Sequence, residues 1–463
     1  MSNLFSSSHN FLPAEALKGK KILFANFPAD GHFNPLTGLA VYLKNIACDV
    51  RWYTSKTYAD KLAKLNIPHY PFNKALEVTG DTIEEIFPER KNIRGQVKKL
   101  KFDMVNIFIL RGPENYADLL EVQKSFDFDI MVADCGFPGI PFVKEKMNIP
   151  VISVGVFPLT ETSRDLPPAG LGITPSNNFF GKMRDNILKA LTRKLIFGSP
   201  NKILWQLLDK YQIPHNHESI FDMLIQKATV MLQSGTPGFE YKRSDLSRHI
   251  HFVGALLPYA ASKKRIPWFD ARLTQYSKIV LVTQGTVEKD AEKILVPSLE
   301  AFKNTDVLVV ATTGGSKTQE LKKRFSHQNI IIEDFIPFGD IMPYADVYVT
   351  NGGYGGVMLG IENELPLVVA GVHEGKNEIN ARIGYFELGI NLKTERPKPA
   401  QMKKAIDQVI NNKKYKQNVM KLAKEFARYN PGELTAQYIT EVLQKTGRLY
   451  FSELREAEGE KIY

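Results

Sequence analysis

Short apolar runs rich in β-branched residues alternate along this chain with longer stretches whose apolar positions recur every three to four residues. The runs at residues 21–27, 50–54, 130–135 and 151–156 predict buried parallel strands, and so do those at 230–233, 279–284, 307–312, 330–333, 347–350 and 367–370. Between the first two lies a helical pattern over 35–45, with Leu36, Leu39 and Leu43 on one face, Asn34 placed to cap it and Pro35 at its first position. Alternation of strand and helix from end to end predicts an α/β protein with parallel sheets.

The pattern runs twice. The first set ends near Leu257, and a polar stretch carrying Pro258 and Pro267 follows. This predicts two doubly wound domains, residues 1–256 and 279–440, joined by a linker over 257–278, with a helix and tail over 441–463 crossing back to the first domain. Residues 157–200 break the rhythm. They are rich in Pro, Gly, Phe and Leu and then become a basic helical pattern, a composition that fits a lid over an apolar ligand better than the alternative, a surface elaboration with no role.

At 463 residues the chain is long enough for two buried cores, and 43% apolar and 24% charged residues exclude wholesale disorder. Lys plus Arg number 60 against 50 Asp plus Glu, a net charge of +10 that favours acidic ligands or anionic surfaces. The basic residues are scattered and lack a stacking-aromatic motif, so nucleic acid is not an expected partner. The basic stretch 184–194 offers a weak peripheral contact with an anionic membrane, a solvated face being the alternative. Two cysteines, Cys48 and Cys135, exclude a disulfide scaffold and a cysteine-rich zinc site. The first twenty residues do not read as a signal peptide and no run is long enough to span a membrane, so a cytoplasmic monomer or dimer is expected.

Four segments carry candidate chemistry. Asp30 to Pro35 falls between a strand and the next helix, where open parallel sheets bind ligands. Gly31 there lets backbone approach a ligand, and His32 is suited to take a proton near neutral pH. Asp134, at the carboxyl end of a strand, is suited to orient such a histidine, helix capping being the alternative. The turn Asn351, Gly352, Gly353, Tyr354, Gly355, Gly356 follows a strand and opens a helix, which suits phosphate oxygens; Gly285 and Thr286, after another strand, add donors. The loop from Gly371 to Arg382 carries Glu374, Gly375, Lys376 and Asn377, polar groups suited to several hydroxyls at once. Asp127 and Asp129 directly precede a strand and read as a solvated turn rather than a metal site.

Taken together, Gly-His-x-Asn-Pro near the N-terminus, a strand ending in Gly-Thr, and a Gly-Gly-x-Gly turn followed by an Asn-Ala-Arg loop resemble the family 1 nucleotide-sugar glycosyltransferases, closest to the bacterial macrolide and flavonoid type. The resemblance implies a GT-B fold, two Rossmann-like domains facing each other across a cleft. It implies an acceptor on the first and a nucleotide sugar on the second, with UDP-glucose the best single choice and no metal or other cofactor. It makes His32 the general base and Asp134 its orienting partner. Gly285 and Thr286 then approach the diphosphate, Phe335 stands where the family often stacks a tryptophan on uracil, and the backbone of Ile336 contacts the base edge. Three positions depart from the family: Asn351 replaces a histidine that donates to the diphosphate, Leu359 replaces a glutamate that holds the ribose, and Lys376 with Asn377 replaces Asp-Gln on the sugar.

The reaction expected is an inverting transfer onto a hydroxyl of a lipophilic small molecule such as a flavonoid, another phenol, a macrolide or a terpenoid. Phe33, Phe108, Phe137 and Phe157 are expected to line its pocket, under a lid carrying Leu159, Leu166, Leu171, Phe179 and Phe180, ordinary core packing being the alternative for each. The alternatives are an epimerase-like enzyme with the same donor site and a non-catalytic carrier of lipophilic molecules.

Overall fold

In the computed structural model, residues 13–79, 82–176, 178–260, 266–285 and 288–448 are described. Each of the ten expected runs forms a strand. The first sheet holds β1 (Lys21–Ala25), β2 (Asp49–Thr54), β3 (His69–Pro71), β4 (Ile130–Asp134), β5 (Val151–Gly155), β6 (Val230–Ser234) and β7 (Ile250–Gly254), in the order β3-β2-β1-β4-β5-β6-β7. The second holds β8 (Ile279–Thr283), β9 (Leu308–Thr312), β10 (Ile330–Glu333), β11 (Val347–Thr350), β12 (Leu367–Val369) and β13 (Gly389–Asn391), in the order β10-β9-β8-β11-β12-β13. Neighbouring strands in both sheets pair in parallel.

Three strands escape the sequence pattern: β3, β7 and β13. All three are sheet edges. A central strand of a helix-covered sheet is buried on both faces and reads as an unbroken apolar run, whereas an edge strand is partly solvated. Thus β3 is His-Tyr-Pro with no buried residue, and β7 carries half-buried His251 and Phe252 between Ile250 and Val253.

Apolar clusters cover both faces of each sheet. One face of the first sheet packs Phe24 and Trp52 against Leu36, Leu39 and Leu43, and Ala436, Ile439, Val442 and Leu443 belong to the same cluster. Those last four come from the helix Pro431–Lys445, which lies against the helix Asp30–Asn45 and β7. Asn430 caps it by accepting the Glu433 N–H, and Gly432 is tight against Tyr42, whose ring a β-carbon would meet at 2.5 Å. The return to the first sheet therefore begins at Pro431; residues 449–463 lie outside the described residues. Between the two sheets, Leu257, Trp268 and Tyr276 pack against the second core and Leu273 is buried in it; residues 261–265 are also outside the described set. Among the described residues no helix is long and apolar enough to cross a membrane.

Candidate functional site

The helix expected over 35–45 begins earlier, at Asp30, so Asn34 is not its cap. Ala29, in extended backbone, is the cap residue, and its carbonyl accepts the N–H groups of His32 and Phe33 at 2.9 and 3.0 Å. Pro35 falls inside the helix and forfeits one backbone bond there. The carbonyl of Asn34 instead accepts the Thr37 hydroxyl at 2.6 Å. His32 consequently rides on the first turn of a helix rather than on a loop, which gives its side chain a fixed origin.

In the first sheet the strand order reverses between β1 and β4, and that switch point brings the two ends of chemistry together. The Nδ1 of His32 lies 2.5 Å from Oδ1 of Asp134. Asp134 is fully buried, and its carboxylate also accepts the Phe27 N–H at 2.6 Å and the Gly136 N–H at 2.8 Å. A carboxylate only accepts, so Nδ1 donates and Nε2 keeps its lone pair for an incoming proton. Asp134 thus orients the ring and closes the turn after its own strand at once. Gly136 makes room for the pair: a β-carbon there would stand 3.0 Å from both the Asp134 Oδ1 and the His32 Cε1.

Aromatic rings surround the imidazole. Phe27 and Phe157 present edges to it, with ring centres at 5.3 and 6.1 Å, and Phe108 stacks on Phe27 at 4.6 Å. Two expected acceptor residues lie elsewhere. Phe33 is 1% exposed and stacks on Tyr58 at 4.2 Å and tilts against Trp52 at 4.7 Å, inside the core, because its helical position faces the sheet. Phe137 is equally buried, edge-on to Tyr53. Phe27 was read as the end of a strand, but β1 stops at Ala25. An aromatic just past a strand's carboxyl end is the signal that points to it.

The second sheet repeats the logic, with its order reversing between β8 and β11. Asn351, after β11, donates from Nδ2 to the carbonyl of Gln284, after β8, at 2.5 Å, and accepts the Gly353 N–H at 3.2 Å. Gly285 lies beside it; Thr286 lies outside the described residues. Gly352 has φ +82, and a β-carbon there would overlap the side chain of buried Asn380. Gly353 caps the helix Tyr354–Glu362 with no side chain, so the opening amides have no side-chain acceptor, and Gly355 and Gly356 are half-buried. Phe335 is 67% exposed and flanks Gly315, while Ile336 is buried beneath it in the second core. Leu359 is half-buried against that core and offers no hydroxyl partner.

Tyr354 contributes only backbone to this turn. Its phenol reaches the first sheet, donating to the Ser234 carbonyl at 2.7 Å and accepting from Gln233 at 3.4 Å. Burial pushes that phenol far above its ordinary pKa, and Cys135, next to Asp134, is among the groups it feels. The helix Tyr354–Glu362 also packs on the histidine helix, so the two switch points adjoin.

The polar loop of the second half grips residues 170–172 of the first. Asn377 donates to the Gly170 carbonyl at 2.7 Å, and Glu378 accepts the N–H groups of Gly170 and Gly172 at 2.9 and 2.7 Å. Lys376 pairs with exposed Glu374, and Gly375 takes a left-handed φ of +77 at the helix start. Behind them Arg382 pairs with Glu240 and Glu378, and Glu240 also accepts the Leu159 N–H at 3.0 Å. Neither Glu240 nor Glu378 was singled out from the sequence, where each is one charge among many.

Residues 298–441 match the family model described as erythromycin biosynthesis protein CIII-like, C-terminal domain. The chain is 32% identical over 409 residues to 4'-demethylrebeccamycin synthase of Lentzea aerocolonigenes, spanning 88% of this chain and 96% of that protein. It is 29% identical over 435 residues to UDP-glucosyltransferase 1 of Beauveria bassiana, spanning 88% and 91%. Among solved structures, CalG4, the calicheamicin glycosyltransferase, superposes over 92% of this chain and 98% of its own with a TM-score of 0.69. At 16% identity that likeness concerns the fold.

Proposed function

This chain belongs to the family 1 UDP-glycosyltransferases, enzymes that transfer a sugar from a nucleotide-sugar donor to an acceptor, and on that footing we propose that it moves glucose from UDP-glucose, with inversion, onto a hydroxyl of a lipophilic small molecule. The observation that carries this reading is the 2.5 Å pairing of His32 with Asp134 at one switch point, adjoining the glycine-rich helix start of the other. Nε2 of His32 takes the proton of the acceptor hydroxyl while its oxygen bonds to the anomeric carbon and the bond from that carbon to the diphosphate breaks. Asp134 stabilises the imidazolium that results. Such general-base help is worth about 10²–10⁴ in rate.

The departing diphosphate gains charge. The amides of Gly352, Tyr354, Gly355 and Gly356 and the positive end of their helix meet it, with Gly31 and Gly285 alongside. A side-chain amide nitrogen carries two hydrogens. Asn351 spends one on Gln284 and keeps one for a phosphate oxygen, which makes it a workable replacement for the family's histidine. Phe335 stacks on uracil, its exposed face supporting the assignment, with the Ile336 backbone on the base edge. Glu374, Gly375, Lys376 and Asn377 face the sugar. Residues 1–256 serve the acceptor and 279–440 the donor, joined by 257–278. Phe27, Phe108 and Phe157 make an apolar wall at the base, which favours a phenol, macrolide or terpenoid over a sugar chain. A phenol, with a pKa near 10, leaves the smaller proton-transfer gap for histidine to close.

Mass spectrometry of reactions pairing UDP- and TDP-sugars with mixed phenols and macrolides tests the reading. A hexosyl adduct from UDP-glucose that disappears in His32→Ala is the expected result. Transfer only from a TDP-sugar would replace the donor, and isomerised nucleotide sugar without any adduct would overturn the transfer itself.

A further inference from the structure

The helix Phe179–Leu191 and the stretch Thr192–Ile196 that continues it turn an apolar stripe to solvent. Phe179, Met183, Ile187, Leu191 and Leu195 recur every four residues, which puts them on one face, and Phe180 flanks them. All six are exposed, Phe179 and Phe180 at 75% and Ile187 at 52%. The buried residues of the same stretch are polar, Asp185 and Thr192. This reverses the usual order, in which a surface helix hides its apolar face.

Charge is one-sided as well. Lys182, Arg184, Arg193 and Lys194 are exposed along the stretch. Its single acid, Asp185, is buried and ion-paired with Arg184 at 2.7 Å, so no carboxylate of residues 179–197 faces outward. Lys189 is turned the other way and ties the helix down through the carbonyls of Ser163 and Arg164. An apolar stripe edged by cations alone matches a surface that stacks anionic headgroups over hydrocarbon.

We propose that this face docks peripherally on an anionic lipid bilayer, with the helix lying in the plane of the headgroups and Phe179, Phe180, Met183, Ile187, Leu191 and Leu195 dipping below them. The helix directly follows the lid segment whose Gly170 and Gly172 are held by Glu378. Docking therefore sets the lid beside the phase in which lipophilic molecules partition. The inference goes beyond glycosyl transfer and does not depend on it, since vesicle binding is read without substrate.

The test spins the full chain with vesicles of phosphatidylcholine alone and of phosphatidylcholine mixed with phosphatidylglycerol. The protein is expected in the pellet with the mixed vesicles, in the supernatant with the neutral ones, and released by salt. Ile187→Ser with Leu191→Ser, and separately Arg193→Glu with Lys194→Glu, are expected to lose the pellet fraction, affinity falling about fivefold or more for each cation removed. Their turnover on a water-soluble acceptor is expected to equal wild type, so loss of docking and loss of transfer are told apart. Wild-type protein staying in the supernatant with both vesicle types would overturn the proposal, as would variants that bind as tightly as wild type. A dimer in light scattering that Ile187→Ser with Leu191→Ser converts to monomer would assign the face to a second copy of the chain and overturn it too.

Discussion

Arg382 meets Glu240 at 2.7 Å, and their side chains are only 2% and 4% exposed. The two residues belong to different sheets' surroundings, 142 positions apart. The guanidinium also lies over the Tyr241 ring at 4.3 Å and pairs with Glu378 at 3.2 Å. Burial works against its charge, but Glu240, Tyr241 and Glu378 outweigh that penalty and its pKa stands above the ordinary arginine value. Arg243, nearby but less well matched, is lowered by the same burial. The network holds the helix that carries Asn377 and, through Glu240, the backbone at Leu159.

Removing one side of this network strands the other. Arg382→Met leaves two carboxylates without their buried cation, a change that typically costs about 3–5 kcal/mol. Urea denaturation is expected to show a lowered midpoint and, in assays, a raised KM for the nucleotide sugar. An unchanged midpoint would show that the pair carries no net stability.

His32→Ala removes the proposed proton acceptor while leaving the second sheet untouched. Turnover is expected to fall by about 10²–10⁴, with UDP-glucose binding by calorimetry unaltered. Turnover close to wild type would take His32 out of the mechanism.

Asp134→Asn keeps the shape and changes the pattern of donors. An asparagine can hold His32 in the other tautomer, with Nδ1 accepting and Nε2 protonated, and a comparable change in a hydrolase triad costs about 10⁴ in kcat. Kinetics and a circular dichroism melt on the same preparation separate this from unfolding. Unchanged kinetics would leave Asp134 a turn-closing residue for Phe27 and Gly136.

Gly352→Ala tests the proposed role of the glycine-rich turn in holding the diphosphate. Its φ of +82 is costly for any residue with a β-carbon, by about 1–2 kcal/mol, and that carbon would press on Asn380. UDP affinity measured by calorimetry is expected to drop while the first sheet's site, probed with acceptor alone, is unaffected. Full UDP affinity would separate the turn from donor binding.

Acid loosens the crossing helix. Burial holds the His251 pKa below 6.5, partly opposed by Glu441, and the ring stacks on Tyr438 of the helix Pro431–Lys445 at 4.4 Å. The unfolded chain therefore binds this proton first. Stability is full above pH 6.5, declines as pH falls through that value and levels off once the folded pKa is passed. Melting temperatures of wild type and His251→Gln are expected to converge toward acid; parallel curves would remove His251 from the acid response.

The strand pattern was readable where burial is two-sided. The runs that became β1, β4, β5, β8 and β11 needed no tertiary information, and the residues at or just past their ends named His32, Asp134 and the glycine-rich turn. Among the edge strands β10, Ile-Ile-Ile-Glu, was readable because its three isoleucines are buried, whereas the partly solvated residues of β3, β7 and β13 break the apolar run. Among aromatics the sequence could not separate Phe27, beside His32, from Phe33, inside the core. The two differ only in where a helix begins, and Pro35 pointed to a start five residues too late.

By itself, then, the chain's order of residues determined two parallel sheets and the chemical types waiting at their strand ends, since periodicity and end residues are local properties of a backbone. The pairing of His32 with Asp134 was expected, but only the tertiary structure decided the other meetings: Asn351 with Gln284, Asn377 with Gly170, Arg382 with Glu240. Those meetings depend on strand order and on how two halves pack. Contacts between groups tens or hundreds of positions apart leave no repeat in the local pattern of apolar and polar residues.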